Sequence, residues 1–169
     1  MAHPRVEQLR FARSEFVRGL EGVTDEEARR RILPMNCISW MIGHLANQEY
    51  RYWELRAHGR DPMPDIKDMA PYGKPGSTPA LDEALDAWRA VTALVDPYLD
   101  TLTTASLDER YIIDGQAIGE SVGTLLQRVT YHYWFHTGES QVVRQLLGHT
   151  DLPEYVGDFT EAAAYRAEH

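Results

Sequence analysis

The stretch that decides the fold is YHYWFHTGESQVVRQLLGH, at residues 131–149, where two histidines lie four positions apart. Residues on one face of an α-helix recur every three or four positions, because each residue turns the chain by about 100°. One such series consists of Leu125, Val129, His132, His136, Ser140, Val143 and Leu147. We therefore expect both imidazoles to face the rest of the protein and not the solvent.

Two further segments with this periodicity lie in the first third of the chain. The first covers about residues 3–20 and stops near Gly22. The second starts after Asn36 or Ser39, since either side chain can accept the hydrogen bond of a helix N-cap. It continues to about His58, where a glycine follows. Both segments predict long amphipathic helices.

The other two predicted long helices lie in the second half. One starts at Thr78, with Pro79 in its first turn, and Pro97 is expected to kink or end it. The other contains the histidine pair, with Ser121 as its cap and Gly148 as its stop. Four amphipathic helices without a clear strand pattern predict an all-α protein, a four-helix bundle.

The remaining segments predict connections and short elements. Residues 59–79, rich in proline and glycine, form a long connection between the second and third helices. Residues 24–31 contain a capping-box pattern, TDEE, and predict a short extra helix. A short tail helix is expected at residues 158–167, and residues 110–114 have an isolated extended pattern. The length suits a single domain over residues 1–169.

The composition excludes several classes of protein. The 169 residues include 17 lysines and arginines against 26 aspartates and glutamates, a formal net charge of -9. Such a surface repels the phosphates of nucleic acids. No apolar run approaches the roughly 20 residues of a membrane span, and no secretory signal segment is visible. The single cysteine, Cys37, forms no internal disulfide. We expect a cytoplasmic protein that binds neither nucleic acid nor membrane.

A third histidine shares the inward orientation of the pair. On the second predicted helix the inward series is Met41, His44, Leu45, Gln48, Tyr52 and Leu55. Burying an imidazole without hydrogen-bond partners costs about 2 kcal/mol or more, so three of them need something that gathers them. A divalent metal does so, and three protein ligands with one further position are typical of catalytic metal sites. Such sites occur in bundle cores, with ligands from facing helices.

From the residues alone, two interpretations of these histidines stay open. They bind a metal, or they are ordinary core residues that hydrogen-bond to each other and to the backbone. A histidine pair four residues apart also arises by chance, and a single inward histidine is commonly a satisfied core residue.

Two motifs resemble the DinB-like (DinB/YfiT-like) superfamily of bacterial metal-binding proteins. The first, ISWMIGHLANQE at residues 38–49, has an aromatic residue, a His-Leu pair and a following acid. The second, HYWFHTGE at residues 132–139, is similar to the family pattern His-x-x-x-His-x-Gly-Gln and leads to a Leu-Leu-Gly end. Glu139 departs from this pattern, because the family often has glutamine there. The resemblance spans about residues 5–148 and implies a four-helix bundle whose metal ligands are His44, His132 and His136.

The resemblance also implies an activity. Characterised relatives include bacillithiol transferases and mycothiol-dependent isomerases, so it implies a metal-dependent thiol S-transferase or isomerase that takes a small molecule, with a low-molecular-weight thiol as substrate. The divalent ion is expected to be zinc or nickel, with iron and manganese as alternatives, and the protein is expected to form a homodimer. Two other functions stay open: a metal-dependent hydrolase, and a non-catalytic, stress-related bundle that binds a metal or ligand as a dimer.

Two acids are candidate catalytic residues. Glu139 lies one turn after the histidine pair, so we expect it to face the pocket. Glu49 lies five positions after His44, about 140° further around the helix. It is either a partner or general base at the site, or a solvated surface acid. Tyr52 and Trp134 are candidates for the wall of the cavity.

Overall fold

The computed structural model describes residues 2–71, 73 and 76–167. These residues form the all-α protein that the periodicity predicts, with one small sheet. The elements, in chain order, are α1 (Pro4–Arg18), α2 (Asp25–Arg29), α3 (Ile38–Tyr50), a π-helical segment (Arg51–Arg56), α4 (Ile66–Met69), α5 (Leu81–Leu99), α6 (Thr104–Asp108), β1 (Ile112–Ile113), β2 (Gln116–Ala117), α7 (Val122–Leu146) and α8 (Phe159–Ala162). None of these described helices combines the length and the apolar character that a membrane crossing requires.

Four long helices build the core. α1 packs mainly against α7, α3 packs mainly against α5, and contacts between α3 and α7 join the two pairs. The largest fully buried side chains include Trp53, on the π-helical segment, and Tyr50, Tyr133, Phe16, Leu45 and Leu125, on these helices. Burying a large apolar side chain contributes about 1.5–3 kcal/mol to folding. α3 and α7, which carry the three candidate histidines, therefore face each other where the two pairs meet.

Several helix boundaries agree with the local sequence signals. Thr24 and Glu27 form the predicted capping box at the start of α2. Ser121 accepts a backbone N–H at the start of α7, also as predicted. Gly59 and Gly148 follow the second and fourth long helices with φ angles of 65° and 96°. Glycine adopts this left-handed conformation without the steric cost of a Cβ atom, which explains both stops.

The predicted cap of α3 is wrong. The helix begins at Ile38 with Cys37 in the N-cap position, and no side chain caps this end. Ser39, one of the two predicted caps, is completely buried in the first turn, where its Oγ lies 3.5 Å from the Cys37 Sγ. Asn36, the other, precedes the N-cap. Packing of the first turn into the core decided the start of this helix, and local capping did not.

The predicted start of α5 is also wrong, by three residues. The helix begins at Leu81 and not at Thr78, and the backbone N–H of Leu81 donates to Asp25 Oδ1 of α2 at 2.8 Å. A carboxylate from another helix therefore replaces the local cap. At the other end, α5 continues for only two residues past Pro97, to Leu99, in agreement with the predicted stop.

The connection at residues 59–79 is anchored to the bundle. The Tyr50 hydroxyl donates to Asp61 Oδ1 at 2.7 Å and accepts the backbone N–H of Met63 at 2.9 Å. α4 lies within this connection, which the sequence predicted as a loop. Three of its residues lie outside the described part of the chain: Tyr72, Lys74 and Pro75.

α4 packs closely on α3 next to the first candidate histidine. A Cβ atom added at Gly43 would lie 3.0 Å from Met69 Cγ and 3.3 Å from Ala70 Cβ. Both contacts are tighter than ordinary van der Waals contact, so the absence of a side chain at Gly43 lets the two backbones approach. This approach brings the end of α4 beside His44, the next residue of α3.

Two smaller predictions need correction. Residues 110–114 are not isolated, because β1 pairs with β2 in an antiparallel hairpin whose turn residues, Asp114 and Gly115, have φ angles of 52° and 76°. This is an Asp-Gly hairpin turn. The tail helix α8 has four residues and is shorter than the predicted segment at residues 158–167. The tail is held to α1 by Gln8, whose side-chain amide donates to the Ala163 carbonyl at 2.7 Å.

Candidate metal centre

The three candidate histidines converge on one point between α3 and α7. One potential ligand atom from each of His44, His132 and His136 lies within 4.8 Å of the others. Within residues 2–71, 73 and 76–167, no other histidine, cysteine, aspartate or glutamate belongs to such a group. His136 is buried and the other two are partly buried. The inward spacing therefore brings three imidazoles close enough together to hold a metal ion.

Each ring has a hydrogen-bond partner on its outer side. His136 Nδ1 lies 2.7 Å from Glu139 Oε2, and His132 Nδ1 lies 2.8 Å from Gln48 Oε1. The His44 ring bonds to the backbone of Ala70, at the end of α4. Histidines that bind metals commonly donate their other ring N–H to a carboxylate or carbonyl group, which fixes the tautomer and the ring orientation. This cluster has that arrangement for all three rings.

The hydrogen bonds of the pair leave two acceptors facing each other. An ionised carboxylate only accepts, so His136 Nδ1 carries the proton, and the Gln48 oxygen assigns the proton of His132 to Nδ1 in the same way. The two Nε2 atoms therefore carry lone pairs, and they lie 2.9 Å apart. Two lone pairs at this separation repel unless a proton or a cation lies beside both.

Burial keeps two of the rings neutral. It lowers the pKa of His132 to about 3 and that of His44 to about 4, and the neighbouring His136 contributes to both shifts. Neutral imidazole is the form that binds metals. Neutral rings, converging lone pairs and external partners for the opposite nitrogens together fit a divalent cation. Nitrogen ligands of this kind suit zinc, nickel, copper and iron.

Aromatic side chains hold the cluster in place. Trp40 stacks on His44, with ring centroids 4.4 Å apart and an interplanar angle of 14°. The Phe135 ring meets His136 edge-on at 5.1 Å. Trp40 is buried and covers one face of the His44 ring. These contacts restrict the rotation of the imidazoles, so their orientation does not depend on a bound ligand alone.

A cleft of about 690 Å³ lies beside the cluster. Its lining includes His44, His132, Tyr52, Arg51 and Arg128. Tyr52 therefore lines the cavity, as the sequence predicts. A cleft of this volume accepts a small organic molecule.

Trp134 does not line this cleft, which corrects the sequence prediction. It lies in the groove between α1 and α7, where its ring centroid is 5.9 Å from that of Phe11. Trp134 is two positions after His132, so it projects from a different side of α7.

The two candidate acids have different surroundings. Glu139 lies at the cluster but binds His136, and it is not among the grouped ligand atoms. Glu49 is completely buried, so the interpretation as a solvated surface acid is wrong. Arg13 donates to Glu49 Oε1 at 2.8 Å, and Tyr133 donates to the same oxygen at 2.6 Å. The carboxylate of Glu49 is thus engaged by partners outside the histidine cluster.

Sequence reasoning gave no role to Gln48, Arg51 or Arg128. Helical spacing contained the signal for all three, because Gln48 follows His44 by four residues and Arg51 follows it by seven. Arg128 precedes His132 by four residues on α7. Residues at these intervals share a helix face with a histidine and are candidates for the surroundings of its site.

The comparisons with known proteins agree with this architecture. No curated protein matches the chain. The crystal structure of a conserved protein from Enterococcus faecalis has a TM-score of 0.62 at 19% sequence identity, covering 86% of this chain and 96% of that chain, and so shows a common fold. The sequence model of the DinB superfamily matches residues 8–140, which include all three histidines of the cluster. With this match over most of its length and a helical bundle that gathers those histidines, the chain belongs to the DinB superfamily.

Proposed function

We propose that the protein is a metal-dependent enzyme, a thiol S-transferase or a related isomerase, with a divalent ion held by His44, His132 and His136. One observation carries this proposal: three converging imidazoles with external hydrogen-bond partners lie beside a cleft of about 690 Å³. Zinc or nickel is the proposed ion, with iron and manganese as alternatives. The cytoplasm is the proposed compartment, in keeping with a single, buried and unpaired cysteine.

The residues of the chain have separate tasks in this proposal. A divalent ion in the cluster supplies a Lewis acid that lowers the pKa of a thiol or water bound to it. Gln48 and Glu139 hold the Nδ1 protons of their histidines and so keep both Nε2 atoms available as ligands. Glu139 acts through His136 and is a positioning residue. The cleft admits a small molecule next to the cluster.

Two features favour catalysis over metal storage. Among the described residues, no fourth side chain of the ligating types joins the three histidines, whereas closed structural sites typically have four protein ligands. The cleft lies directly against two of the three rings. A hydrolase would use the same site with water in place of the thiol, so thiols and esters need to be assayed side by side.

The test starts with elemental analysis of the purified protein and of H44A, H132A and H136A. We expect about one equivalent of metal per wild-type chain and a substoichiometric amount in each variant. Conjugation of an electrophile with bacillithiol, mycothiol and glutathione is then assayed, together with hydrolysis of simple esters. Stoichiometric metal without turnover of any thiol would contradict the transferase proposal, and turnover of esters alone would favour the hydrolase.

An exposed apolar face on α7 supports a homodimer as the second part of the proposal. Tyr131, Phe135, Val142 and Leu146 are all exposed and lie on one side of this helix. Apolar residues gathered on one exposed helix face commonly mark a contact with another chain. The occupant we propose is the same face of a second copy, which fits the symmetric interfaces of most homodimers. Light scattering of wild type and V142E tests it, and an unchanged monomer mass in both would contradict it.

A further inference from the structure

The cleft beside the histidines has a charge that the proposed function leaves unexplained. Its charged lining residues, apart from the histidines, are Arg51 and Arg128, and none of the aspartates and glutamates of the described chain lines it. The chain as a whole has a formal net charge of -9. The charged side chains that line this cleft therefore differ in sign from the net charge of the protein.

Arg51 is available to a ligand. It is exposed, at the junction of α3 and the π-helical segment, and its guanidinium carbon lies 5.3 Å from the ring centroid of Tyr52. No carboxylate forms an ion pair with it in the part of the chain that the structure describes. Contact with an aromatic ring holds a guanidinium in position without neutralising its charge. The guanidinium N–H groups of Arg51 are therefore available as hydrogen-bond donors to a ligand in the cleft.

Arg128 is only partly engaged. Its Nε donates to Glu120 Oε1 at 2.9 Å, and Nη2 bonds to the same oxygen. Its Nη1 has no hydrogen-bond partner among the described residues. Arg128 precedes His132 by one helical turn, which places it on the same face of α7 as the histidine pair. One donor group of this side chain is therefore left for a molecule in the cleft.

Both arginines line the same cleft as His44 and His132. Helix geometry gives the length that a ligand must span. Arg51 lies seven residues, or about 10 Å, along the helix from His44. A molecule of that length reaches the arginines at one end and the cluster at the other.

We propose that the substrate of this site is an elongated anion whose carboxylate or phosphate group pairs with Arg51 and Arg128 while its reactive end reaches the three histidines. This inference rests on the proposed function, because it assigns the substrate class of the same site. The planar guanidinium matches the geometry of carboxylate and phosphate groups, and charge-assisted hydrogen bonds of this kind are the stronger ones. The cationic cleft also attracts an anion before it binds.

The experiment measures binding and does not depend on turnover. Protein loaded with cobalt(II), checked by elemental analysis, is titrated with three thiols of matched length, and the visible absorption of the cobalt reports binding. The thiols are mercaptohexanoate, mercaptohexanol and aminohexanethiol, which end in an anion, a neutral group and a cation. The variants are R51Q, R128Q and the double variant, and the matched control is R89Q, an exposed arginine on α5 that pairs with Asp86.

We expect mercaptohexanoate to bind about ten-fold more tightly than mercaptohexanol, and aminohexanethiol to bind most weakly. R51Q and R128Q should each reduce the preference for the anion, the double variant should abolish it, and R89Q should leave it unchanged. Binding of mercaptohexanol should stay the same in all variants. Equal affinity of the wild type for the three thiols would overturn the inference and leave the proposed thiol function intact. So would an R51Q effect of the same size on all three thiols.

A second ligand pair separates this inference from the proposed function. If no thiol changes the cobalt spectrum, the thiol function fails, and the anion is then tested by calorimetry with suberate and its uncharged diamide. Binding of suberate alone, lost in the double variant, would support an anion site without thiol chemistry. Absence of suberate binding would overturn the anion inference as well.

Discussion

Two polar clusters share the helices α3 and α7, and they differ in whether their hydrogen bonds are complete. One is the histidine cluster. The other, which we call the buried ion network, consists of Arg13, Glu49, Asp96, Tyr133 and Trp88. Glu49 and Tyr133 directly follow Gln48 on α3 and His132 on α7, while α1 and α5 supply the other members of the network.

Each member of the buried ion network has a hydrogen-bond partner within the network. Arg13 bonds to Glu49 and, at 2.6 Å, to Asp96, while Tyr133 donates to Glu49 and accepts from Trp88 Nε1 at 2.7 Å. Burial raises the pKa of Tyr133 well above its ordinary value, so the hydroxyl stays protonated and remains a donor.

The histidine cluster differs because the Nε2 atoms of His132 and His136 face each other 2.9 Å apart, while their Nδ1 atoms are bonded to Gln48 and Glu139. A buried network that is complete within the protein holds the fold together, whereas one that leaves acceptors converging beside a cleft is a candidate binding site.

The largest effect is expected from breaking the buried ion network. E49A leaves the guanidinium of Arg13 buried without its main partner, and such a loss costs about 3–5 kcal/mol of unfolding free energy. Urea denaturation of metal-free protein measures it. The control is E83A, an exposed acid on α5, which should change the unfolding free energy by less than about 0.5 kcal/mol. Similar values for the two variants would show that the network contributes little.

The next effect concerns the ligands of the histidine cluster. H132A removes one of the three converging nitrogens, and we expect the affinity for zinc to fall more than about 100-fold, beyond the loss typical of outer partners. H58A is the matched control, because His58 packs against Tyr98 away from the cluster. Competition with a chelator measures both affinities. If H132A binds zinc as tightly as the wild type, the cluster is not the metal site.

A smaller effect is expected at Glu139, which touches only His136 in the cluster. E139A removes the acceptor for the Nδ1 proton, and metal affinity should fall about 10–100-fold. E139Q keeps a neutral acceptor at this position and should lose less than E139A. The same chelator competition applies. Equal losses in both variants would mean that the charge of Glu139, and not its hydrogen bond, supports the site.

The smallest effect is the pH dependence of metal-free protein. Folding lowers the pKa of His44 to about 4 and that of His132 to about 3, from a usual value of 6.5. The unfolded chain therefore binds more protons below pH 6.5, and stability must fall as the pH drops from 6.5 towards 4. After a discount for partial exposure, we expect on the order of 1 kcal/mol per ring.

The measurement is urea denaturation at several pH values between 4 and 7. H132Q removes one of the two titrating rings, so its unfolding free energy should fall less steeply than that of the wild type. An identical slope in both proteins would contradict the assigned origin of the effect.

Much of the bundle could be predicted because helical periodicity is a local property. The inward series through His44 and through the histidine pair required only the 3.6-residue repeat, and the structure brings these rings together. The Asp114-Gly115 turn was equally local, but the short strands around it gave a weak pattern. Two residues per strand are too few for an alternating pattern to stand out.

Glu49 shows why the angular position of a residue on its helix does not by itself predict its burial. If only one face of a helix packs against the protein, a residue about 140° around the helix from His44 points to the solvent. α3, however, contacts α2, α4, α5 and α7. Because neighbours surround the helix, a residue far around from the histidine still points into protein, and Arg13 neutralises it there. The periodicity of a helix does not show how many other elements pack around it.

By itself, the sequence determined the four long helices, the inner faces that carry the three imidazoles, and the acidic character of the chain. These properties depend on the spacing of residues within one segment and on composition. Only the tertiary structure decided that Gln48, Glu139 and the backbone of Ala70 hold the rings, and that two arginines flank the cleft. Such pairings depend on how helices rotate and slide against one another, which the packing of the whole core sets.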